Sequence, residues 1–363
     1  MYHFEKCNEP IEFPLGVHET SCFQTKEWFE YQRQSRCKLL TIKVQNKKNE
    51  KFEDVAYILG IRKNLGIKIF CSPIGGFGSL FQGLIRILPI SEDEIIEIYS
   101  QLAKWIFHHR YASYIQIGDW NLRKEYDNYQ DRGEWKHPIL EKTGIHYSNK
   151  VTYYLDTNQP IEKLWANLSY KSCKYCINKA LKENLIIKRI TKSEEIDDFV
   201  ERHYKQVLDV CKRKGNRPQL YQKKSRIHAL CHNLFPNKIL LYEVMGSGVL
   251  NNIYMSSAIF CLGDTCCSYH SGASYHEYMK YCPNEIMVWS AIQDLHQLGY
   301  KKLILGDISS YKKKFGPSYA YLPILYYSKY EFAIKIRRCI KKIYAKWRNK
   351  KLLSINSIRF KPK

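Results

Sequence analysis

Two segments of this chain share one pattern, in which a helix, a short turn and a strand lead into the dipeptide Gly-Asp. The first segment ends at Asp119 and the second at Asp307, which lies 188 residues later. This separation is far longer than the roughly 20–50-residue period of solenoid repeats. A chain of 363 residues also suits two domains of about 150 residues each. The pattern therefore predicts a duplicated α/β domain.

The helix of each segment has recognisable end signals. In the first, Ser91 and Glu94 form a capping box ahead of apolar residues spaced three and four apart. In the second, Asn284 is predicted to cap the helix and Gly299 to end it. The strands that follow are predicted at 114–117 and 303–305. In the second half, one helix should cross between two neighbouring strands.

The remaining pattern is also mixed α/β, or α+β. Alternating or buried apolar runs predict strands at 37–45, 54–61, 67–71, 238–244, 252–262 and 266–271. Helical periodicity predicts one long helix over 160–184 and another from Ser193 to just before Gly215. We therefore divide the chain into a first domain with its connector (1–150), a second domain (151–330) and a tail (331–363).

The charge balance indicates a polyanionic partner. The chain has 58 Lys and Arg against 35 Asp and Glu, a net charge of +23, which suits nucleic acid, anionic lipid or phosphorylated substrates. With 45% hydrophobic residues, wholesale disorder is excluded. The 13 Cys lie in apolar stretches rather than in a small disulfide framework, and no signal peptide or membrane span is visible. These features predict a cytoplasmic protein.

About half of the excess charge lies at the C-terminal end. Residues 329–363 contain nine Lys and four Arg against one Glu. Apolar residues recur there at spacings of three and four, which predicts a basic amphipathic helix. Such a helix could lie on an anionic membrane at its inner face, contact RNA, or simply pack on the domain with its basic face in water.

Four motifs carry a resemblance to a known family. They are WANLSYKSCKYCINKALKENL from Trp165, YHSGAS from Tyr269, CPNEIMVWSAIQDLHQLGY from Cys282 and LGDISSYKKKFG ending at Gly316. With looser matches at WFEYQ and SPIGGFG in the first half, the chain resembles the FemAB-like acyltransferases over about residues 20–330. Members of that family pair two GNAT-type (acyl-CoA N-acyltransferase) domains. The resemblance therefore implies a tandem GNAT-like fold followed by the basic tail.

The resemblance also implies an activity. FemAB-like proteins transfer an acyl or aminoacyl group from acyl-CoA or aminoacyl-tRNA, used as a co-substrate rather than a tightly bound cofactor, onto an amine. In the peptidoglycan branch that amine belongs to a cell-envelope precursor, and surface-glycan amino sugars are a competing acceptor. The rival hypothesis from another class is a non-catalytic RNA- or membrane-binding protein on the same scaffold.

Candidate site residues follow from the same motifs. By resemblance, Lys312 would hold donor phosphate, and Tyr311 and Lys314 flank it in the donor-binding run. Phe315 and Gly316 match the family's Phe-Gly and would shape the loop. Asp119 would orient the acceptor amine. Tyr269 and His270 lie on the strand where GNAT-type domains open a cleft, and either could relay a proton or be an ordinary strand residue.

Three further patterns limit the chemistry. The segment 274–283 lacks the Arg/Gln-x-x-Gly-x-Gly/Ala signature that cradles the coenzyme A pyrophosphate, which weakens the case for acetyl-CoA. Gly75, Gly76 and Gly78 are only a weak phosphate-cradle signal. Cys173 and Cys176 have zinc-like spacing, but they lie in a strong helical pattern with no second pair. We therefore predict no metal site.

Overall fold

The computed structural model describes residues 2–7, 21–33, 38–48, 51–64, 67–72, 83–126 and 135–330, together with Phe332, Cys339 and Ile343. Within these ranges, fourteen strands form one mixed sheet, with helices packed on its faces. The mixed α/β fold class predicted from the sequence is confirmed. None of the helices in the described ranges is both long and apolar enough to cross a membrane.

The strands are β1 (Tyr2–Cys7), β2 (Lys38–Lys48), β3 (Lys51–Asn64), β4 (Lys68–Ser72), β5 (Leu84–Arg86), β6 (Tyr114–Gly118), β7 (Lys124–Tyr126), β8 (Tyr147–Asp156), β9 (Ile186–Arg189), β10 (Ile239–Met245), β11 (Tyr254–Leu262), β12 (Cys266–Ser274), β13 (Lys302–Gly306) and β14 (Ser318–Ser328). The α-helices are α1 (Lys26–Arg33), α2 (Glu92–His108), α3 (Pro138–Thr143), α4 (Ile161–Asn167), α5 (Tyr175–Lys182), α6 (Ile196–Arg213), α7 (Lys224–Leu234), α8 (Pro283–Gln297) and α9 (Ser310–Lys313).

The sheet joins the two halves of the chain through its last strand. The strand order is β1-β2-β3-β4-β6-β14-β8-β13-β12-β11-β10-β9, with β5 paired to β3 and β7 to β14. Strand β14 is antiparallel both to β6 of the first half and to β8. The proposed boundary at residue 150 falls inside β8. The halves are thus repeated units within one continuous sheet.

The duplicated pattern corresponds to two β–α–β crossovers. In the first half, β4 and β6 are parallel and α2 connects them through the chain. In the second half, β12 and β13 are parallel and α8 lies between them in sequence. The Ser91–Glu94 capping box is present at α2, and Gly299 has a positive φ of 77° just after α8. The predicted repeat is confirmed, including its two Gly-Asp strand ends.

Two local predictions are wrong. The predicted long helix over 160–184 is broken into α4, a π-helical turn at Tyr170–Lys174 and α5. The break follows from a long-range contact, because the Ser169 amide donates to the Lys314 carbonyl at 2.9 Å. Asn284 does not cap α8, which begins after Cys282, and its side-chain amide donates to Ser274 Oγ at 3.1 Å instead.

Apolar residues from both halves form the core on the two faces of the sheet. One cluster packs α5 and α8 on the second-half strands, and it includes Phe315 and Trp289. Another packs α6 and α7 on the opposite face and reaches Trp28 of α1. A third packs α2 on the first-half strands. The second-half layers therefore hold α6, β12 and α8 in fixed positions around one end of β13.

Some predictions fall outside the described ranges. They include the loop with Gly75, Gly76 and Gly78, and nearly all of the tail 331–363. In that tail, Phe332, Cys339 and Ile343 are helical and exposed, and the predicted amphipathic helix as a whole stays a prediction.

Candidate functional site

A cleft of about 630 Å³ opens where β12 leaves β13. Its walls are the C-terminal end of α6 and the segment after it, the second half of β12, the start of α8, and the turn that follows β13. Four of the sequence-predicted site residues line it together: Tyr269, His270, Tyr311 and Lys312. Asp119, Lys314, Phe315 and Gly316 are not among the residues lining this cleft.

The cleft exists because two parallel strands separate. Strands β12 and β13 pair only over Cys266–Ser268 on the β12 side. The β12 register against β11 then shifts by one residue, with Ile259 opposite Ser271 and Phe260 opposite Tyr269. His270 is the extra residue of this β-bulge. A bulge bends its strand and changes the direction of the neighbouring side chains. Tyr269, His270 and Ser271 therefore line the opening between the strands.

The turn after β13 forms the opposite wall. Gly306 ends the strand with a φ of 82°, a conformation that favours glycine. Ser309 Oγ then accepts a hydrogen bond from the Lys312 amide at 3.3 Å and caps the short helix α9. The Lys312 ammonium donates to the Asp307 carbonyl at 3.2 Å. Burial lowers the pKa of Lys312, and the nearby Asp307 carboxylate partly opposes that shift.

The charge around the cleft is mainly positive. Among the described residues, Arg213, Lys214, Arg217 and Lys312 line it, against one carboxylate, that of Asp307. Arg213 is already engaged, because it contacts Asp209 at 2.9 Å and donates to the Ser274 carbonyl at 2.8 Å. Cations at the rim of a concave site attract anionic ligands and raise their local concentration. The arrangement suits a ligand that carries phosphate groups.

Tyr269 and His270 form the floor of the cleft. Burial raises the pKa of Tyr269 and lowers the pKa of His270 to about 4, with a smaller contribution at His270 from Arg226. His270 is therefore a neutral imidazole at pH 7, and its Nδ1 is buried without a hydrogen-bond partner among the described residues. Gly272 has no room for a side chain, because an added Cβ would lie 1.7 Å from the Tyr269 hydroxyl.

A buried polar chain behind β12 was not predicted from the sequence. His203 of α6 is fully buried, and its Nδ1 and Nε2 lie 2.7 Å from Ser257 Oγ and 2.9 Å from Ser271 Oγ. Ser257 donates its hydroxyl proton to Gln206 Oε1. His203 Nδ1 must therefore donate to Ser257, which leaves Nε2 to accept from the Ser271 hydroxyl. Since its proton points to His203, Ser271 presents oxygen lone pairs to the cleft.

We expect a marked loss of stability in mild acid. Burial lowers the pKa of His203 to about 3 and that of His270 to about 4, both below the ordinary value of 6.5. Between pH 6.5 and 4 the unfolded chain therefore binds more protons than the folded chain, and stability falls as pH decreases, by about 1.4 kcal/mol per pH unit for each histidine. The two together predict a loss of about 4 kcal/mol between pH 7 and pH 5.

Urea unfolding at pH 7 and pH 5 measures this effect. His270→Gln should show a pH-dependent loss about 2 kcal/mol smaller than the unaltered protein, because one of the two groups is gone. The contributions of other titrating groups to the pH dependence are the same in both proteins, so they cancel in this comparison. The same pH dependence in both proteins would mean that His270 is not held neutral in the folded state.

Lys314, Phe315 and Gly316 support the cleft from behind. Lys314 forms an ion pair with Glu285 of α8, and their side chains are only 15% and 10% exposed. Phe315 is 1% exposed in the core. Gly316 has a φ of 68°, and an added Cβ would lie 2.3 Å from the Asn167 carbonyl oxygen. The Phe-Gly pair thus locks the turn against the end of α4, in line with the loop-shaping role that the resemblance implied.

Asp119 and Asp307 follow the same strand pattern but lie in different surroundings. Asp307 is exposed and lines the cleft. Asp119 is 0% exposed and accepts hydrogen bonds from the Tyr99 hydroxyl, the Leu84 amide and both nitrogens of Asn121. Burial raises its pKa. Its carboxyl is committed to holding the first half together, and a catalytic role for it remains only a prediction.

Three potential metal ligands meet near the cleft, although the sequence predicted no metal there. The ligand atoms of Cys176, Cys282 and Glu285 lie within 4.8 Å of one another. The Lys314 ammonium already neutralises the Glu285 carboxylate. Cys173, the other member of the zinc-like spacing, is fully buried and does not join this group.

The likeness to one solved structure, that of FemX, shows the fold. No protein-family model matches the chain, and no curated protein sequence matches it. Among solved structures, FemX matches with a TM-score of 0.59 at 13% identity, covering 82% of this chain and 90% of FemX. L-PGS from Bacillus licheniformis gives 0.49 at 7% identity, with 88% and 96% covered. A tandem GNAT protein from the clavulanic acid biosynthesis pathway gives 0.45 at 8%, with 81% and 84% covered.

Proposed function

We propose that this chain is an acyltransferase that moves an acyl or aminoacyl group from acyl-CoA or aminoacyl-tRNA onto the amine of a cell-wall or surface-glycan precursor. The FemAB-like tandem GNAT-type fold that it shares with FemX, as the sequence resemblance implied, supports the reaction class. One observation carries the assignment to a site. Tyr269, His270, Tyr311 and Lys312, separated in sequence, line one cationic cleft where the parallel strands part.

The cleft suits the activated donor. Coenzyme A and tRNA both carry phosphates, and Lys312, Lys214 and Arg217 offer cations at the rim. Lys312 is the best placed of these, because the α9 cap and its bond to the Asp307 carbonyl hold it over the opening. In this proposal Lys312 binds donor phosphate and stabilises negative charge that develops on the leaving group. Tyr311 keeps the turn against α8 through its hydroxyl, which donates to the Asn284 carbonyl at 3.2 Å.

The reaction is an aminolysis. The acceptor nitrogen attacks the carbonyl carbon of the thioester or ester, a C–N bond forms, and the C–S or C–O bond breaks as the thiol or the tRNA hydroxyl leaves. The nitrogen loses one proton overall. His270 lines the cleft as a neutral imidazole, and we assign the proton relay to it or to Tyr269, acting with the leaving group as the final proton acceptor.

Ser271 positions the acceptor amine in this scheme. Its hydroxyl proton is directed to His203 Nε2 by the buried chain through Ser257 and Gln206. The Ser271 oxygen is therefore a hydrogen-bond acceptor. It can accept a hydrogen bond from an N–H group of the attacking amine. A substrate hydroxyl could bind in the same place, so this contact orients the nucleophile rather than selecting it.

We assign the reaction to the cytoplasm. The acceptor is an amine-bearing precursor of the cell envelope, and the tail 331–363 is the segment that would contact an anionic membrane at the inner face. Asp119 is left out of the mechanism, since its carboxyl already accepts four hydrogen bonds in the first-half core.

Salt-titrated binding tests the proposal and separates the two donors. Purified protein is titrated with acetyl-CoA and, in parallel, with a mixed aminoacyl-tRNA pool, at several salt concentrations. Binding of tRNA that weakens steeply with salt and falls in Lys312→Met supports aminoacyl transfer. Coenzyme A binding without tRNA binding supports small-acyl transfer. Failure of both donors to bind would overturn the proposal.

A further inference from the structure

A second group of potential ligands lies on the surface formed by α6 and α7, away from the cleft. His228 and His232 are four residues apart on α7, so their rings lie on the same helix face. Asp197, in the first turn of α6, faces both of them. Its Oδ1 is 3.1 Å from His228 Nε2 and 2.8 Å from His232 Nε2. The three ligand atoms all lie within 4.8 Å of one another.

The geometry is close to what a metal ion requires. Zinc binds imidazole nitrogen at about 2.0–2.1 Å and carboxylate oxygen at about 2.0–2.2 Å, which places neighbouring tetrahedral ligand atoms roughly 3.3 Å apart. The two separations from Asp197, 3.1 and 2.8 Å, need to lengthen only slightly for an ion to enter. The side chains are 72%, 51% and 39% exposed for Asp197, His228 and His232. An ion can therefore reach them directly, and water can complete its coordination.

Packing and charge favour these side chains as ligands. Helices α6 and α7 pack against each other, and their partly shared core fixes how the two helix faces meet. The Asp197 carboxylate contacts both imidazoles through the same oxygen, Oδ1. The aspartate is thus an anionic oxygen donor between two imidazoles, a set that suits Zn²⁺, Ni²⁺, Cu²⁺ or Co²⁺ rather than the oxygen-preferring Mg²⁺ or Ca²⁺.

We propose that Asp197, His228 and His232 bind one divalent transition-metal ion, which links α6 to α7 on the outer surface of the protein. The site has three protein ligands and positions open to water. It does not depend on the proposed acyl transfer, because Asp197 is at the N-terminal end of α6 and the cleft is at the C-terminal end of that helix. Occupation would stabilise the helix pair.

The cluster of Cys176, Cys282 and Glu285 is the main competitor for added metal. It is less suited to an ion, because Glu285 is paired with Lys314. It must still be controlled for, since thiolates bind Zn²⁺ well. The test therefore uses Cys176→Ser as one control and His146→Gln as another, because His146 is an exposed histidine outside either cluster.

The experiment uses the full chain without a polyhistidine tag, treated with EDTA and exchanged into buffer at pH 7.5. Zn²⁺ and Ni²⁺ are titrated by calorimetry, and thermal unfolding is followed with and without metal. We expect one ion per chain and a rise in Tm of roughly 3–5 °C near saturation. His232→Gln and Asp197→Asn should each weaken binding by about tenfold or more. Cys176→Ser and His146→Gln should bind as the unaltered protein does.

Cu²⁺ provides a measurement that does not depend on affinity. Its electron paramagnetic resonance spectrum should show hyperfine splitting from two imidazole nitrogens, and from fewer in His228→Gln. Unchanged binding in the His228→Gln/His232→Gln double variant would overturn the proposal. So would loss of binding in Cys176→Ser alone. Because all three proposed ligands are exposed, the variants should remain folded, which circular dichroism verifies.

Discussion

Replacing Lys312 with methionine is expected to lower kcat/KM for acyl transfer by about 100-fold or more, the range seen when one charge-stabilising donor is lost. The side chain lines the cleft and is held over it from α9, so methionine keeps much of its bulk and removes only the cation. The measurement is acceptor-dependent consumption of acyl-CoA or aminoacyl-tRNA. Stability should change little, because Lys312 is only partly buried.

The next two lysines in the sequence, Lys313 and Lys314, serve as controls. Lys313 is exposed and outside the cleft, so Lys313→Met should retain activity. Lys314→Met should lose stability instead, by about 3–5 kcal/mol, because it leaves Glu285 buried without its cation. Equal activity losses in Lys312→Met and Lys313→Met would show that the basic run acts by general charge rather than through one placed residue.

Replacing Gly316 with alanine is expected to destabilise the protein by about 3–4 kcal/mol. Two effects combine at this position. The φ of 68° is unfavourable for a residue with a Cβ, at about 1–2 kcal/mol. The added Cβ would also lie 2.3 Å from the Asn167 carbonyl oxygen, and because that atom belongs to the backbone, the turn after β13 would have to move away from α4.

Gly299→Ala isolates the first of these effects. Gly299 has a φ of 77°, but nothing lies within 4 Å of a Cβ added there. Its substitution should therefore cost only the conformational strain, about 1–2 kcal/mol. Urea unfolding of the two variants gives the difference directly. Equal losses would mean that the close approach of the turn to Asn167 does not exist in solution.

The parts of the fold that sequence predicted are those set by local pattern. The Ser91–Glu94 capping box, the apolar periodicity of α2 and the strand that ends at Gly118 all involve residues close in sequence, and the structure contains them. The same is true of the three antiparallel strands β10 to β12. The break after α4 was missed because it depends on the Ser169–Lys314 hydrogen bond, which no local pattern reveals.

In the candidate site, too, local motifs could be predicted from the sequence and long-range contacts could not. The Tyr-Lys run after β13 and the Tyr-His pair on β12 were found as motifs, yet their meeting in one cleft depends on where the strands part. The chain from Gln206 through His203 to Ser271 was missed, since its members lie 51, 54 and 68 residues apart along the three bonds. The sequence held one weak signal of this buried chain. His203 falls on the otherwise regular apolar face of α6, at a position where a core residue is expected.

Asp119 and Asp307 share a sequence pattern but differ in their surroundings. Both follow a strand that ends in glycine, so their local sequence patterns are the same. Only the surrounding residues distinguish them. Tyr99, Leu84 and Asn121 enclose the first aspartate, whereas the second opens onto the cleft. The two copies of the motif therefore differ in burial and in the contacts of their carboxylates.

In the proposed function, the activated donor binds in the second-half cleft. Hydrogen–deuterium exchange, read by mass spectrometry with and without acyl-CoA or aminoacyl-tRNA, tests it most directly. We predict that bound donor slows amide exchange in 210–217, 269–274 and 307–312, and that this protection is lost in Lys312→Met. Protection confined to the first-half crossover at 68–118, with no change around the cleft, would contradict it.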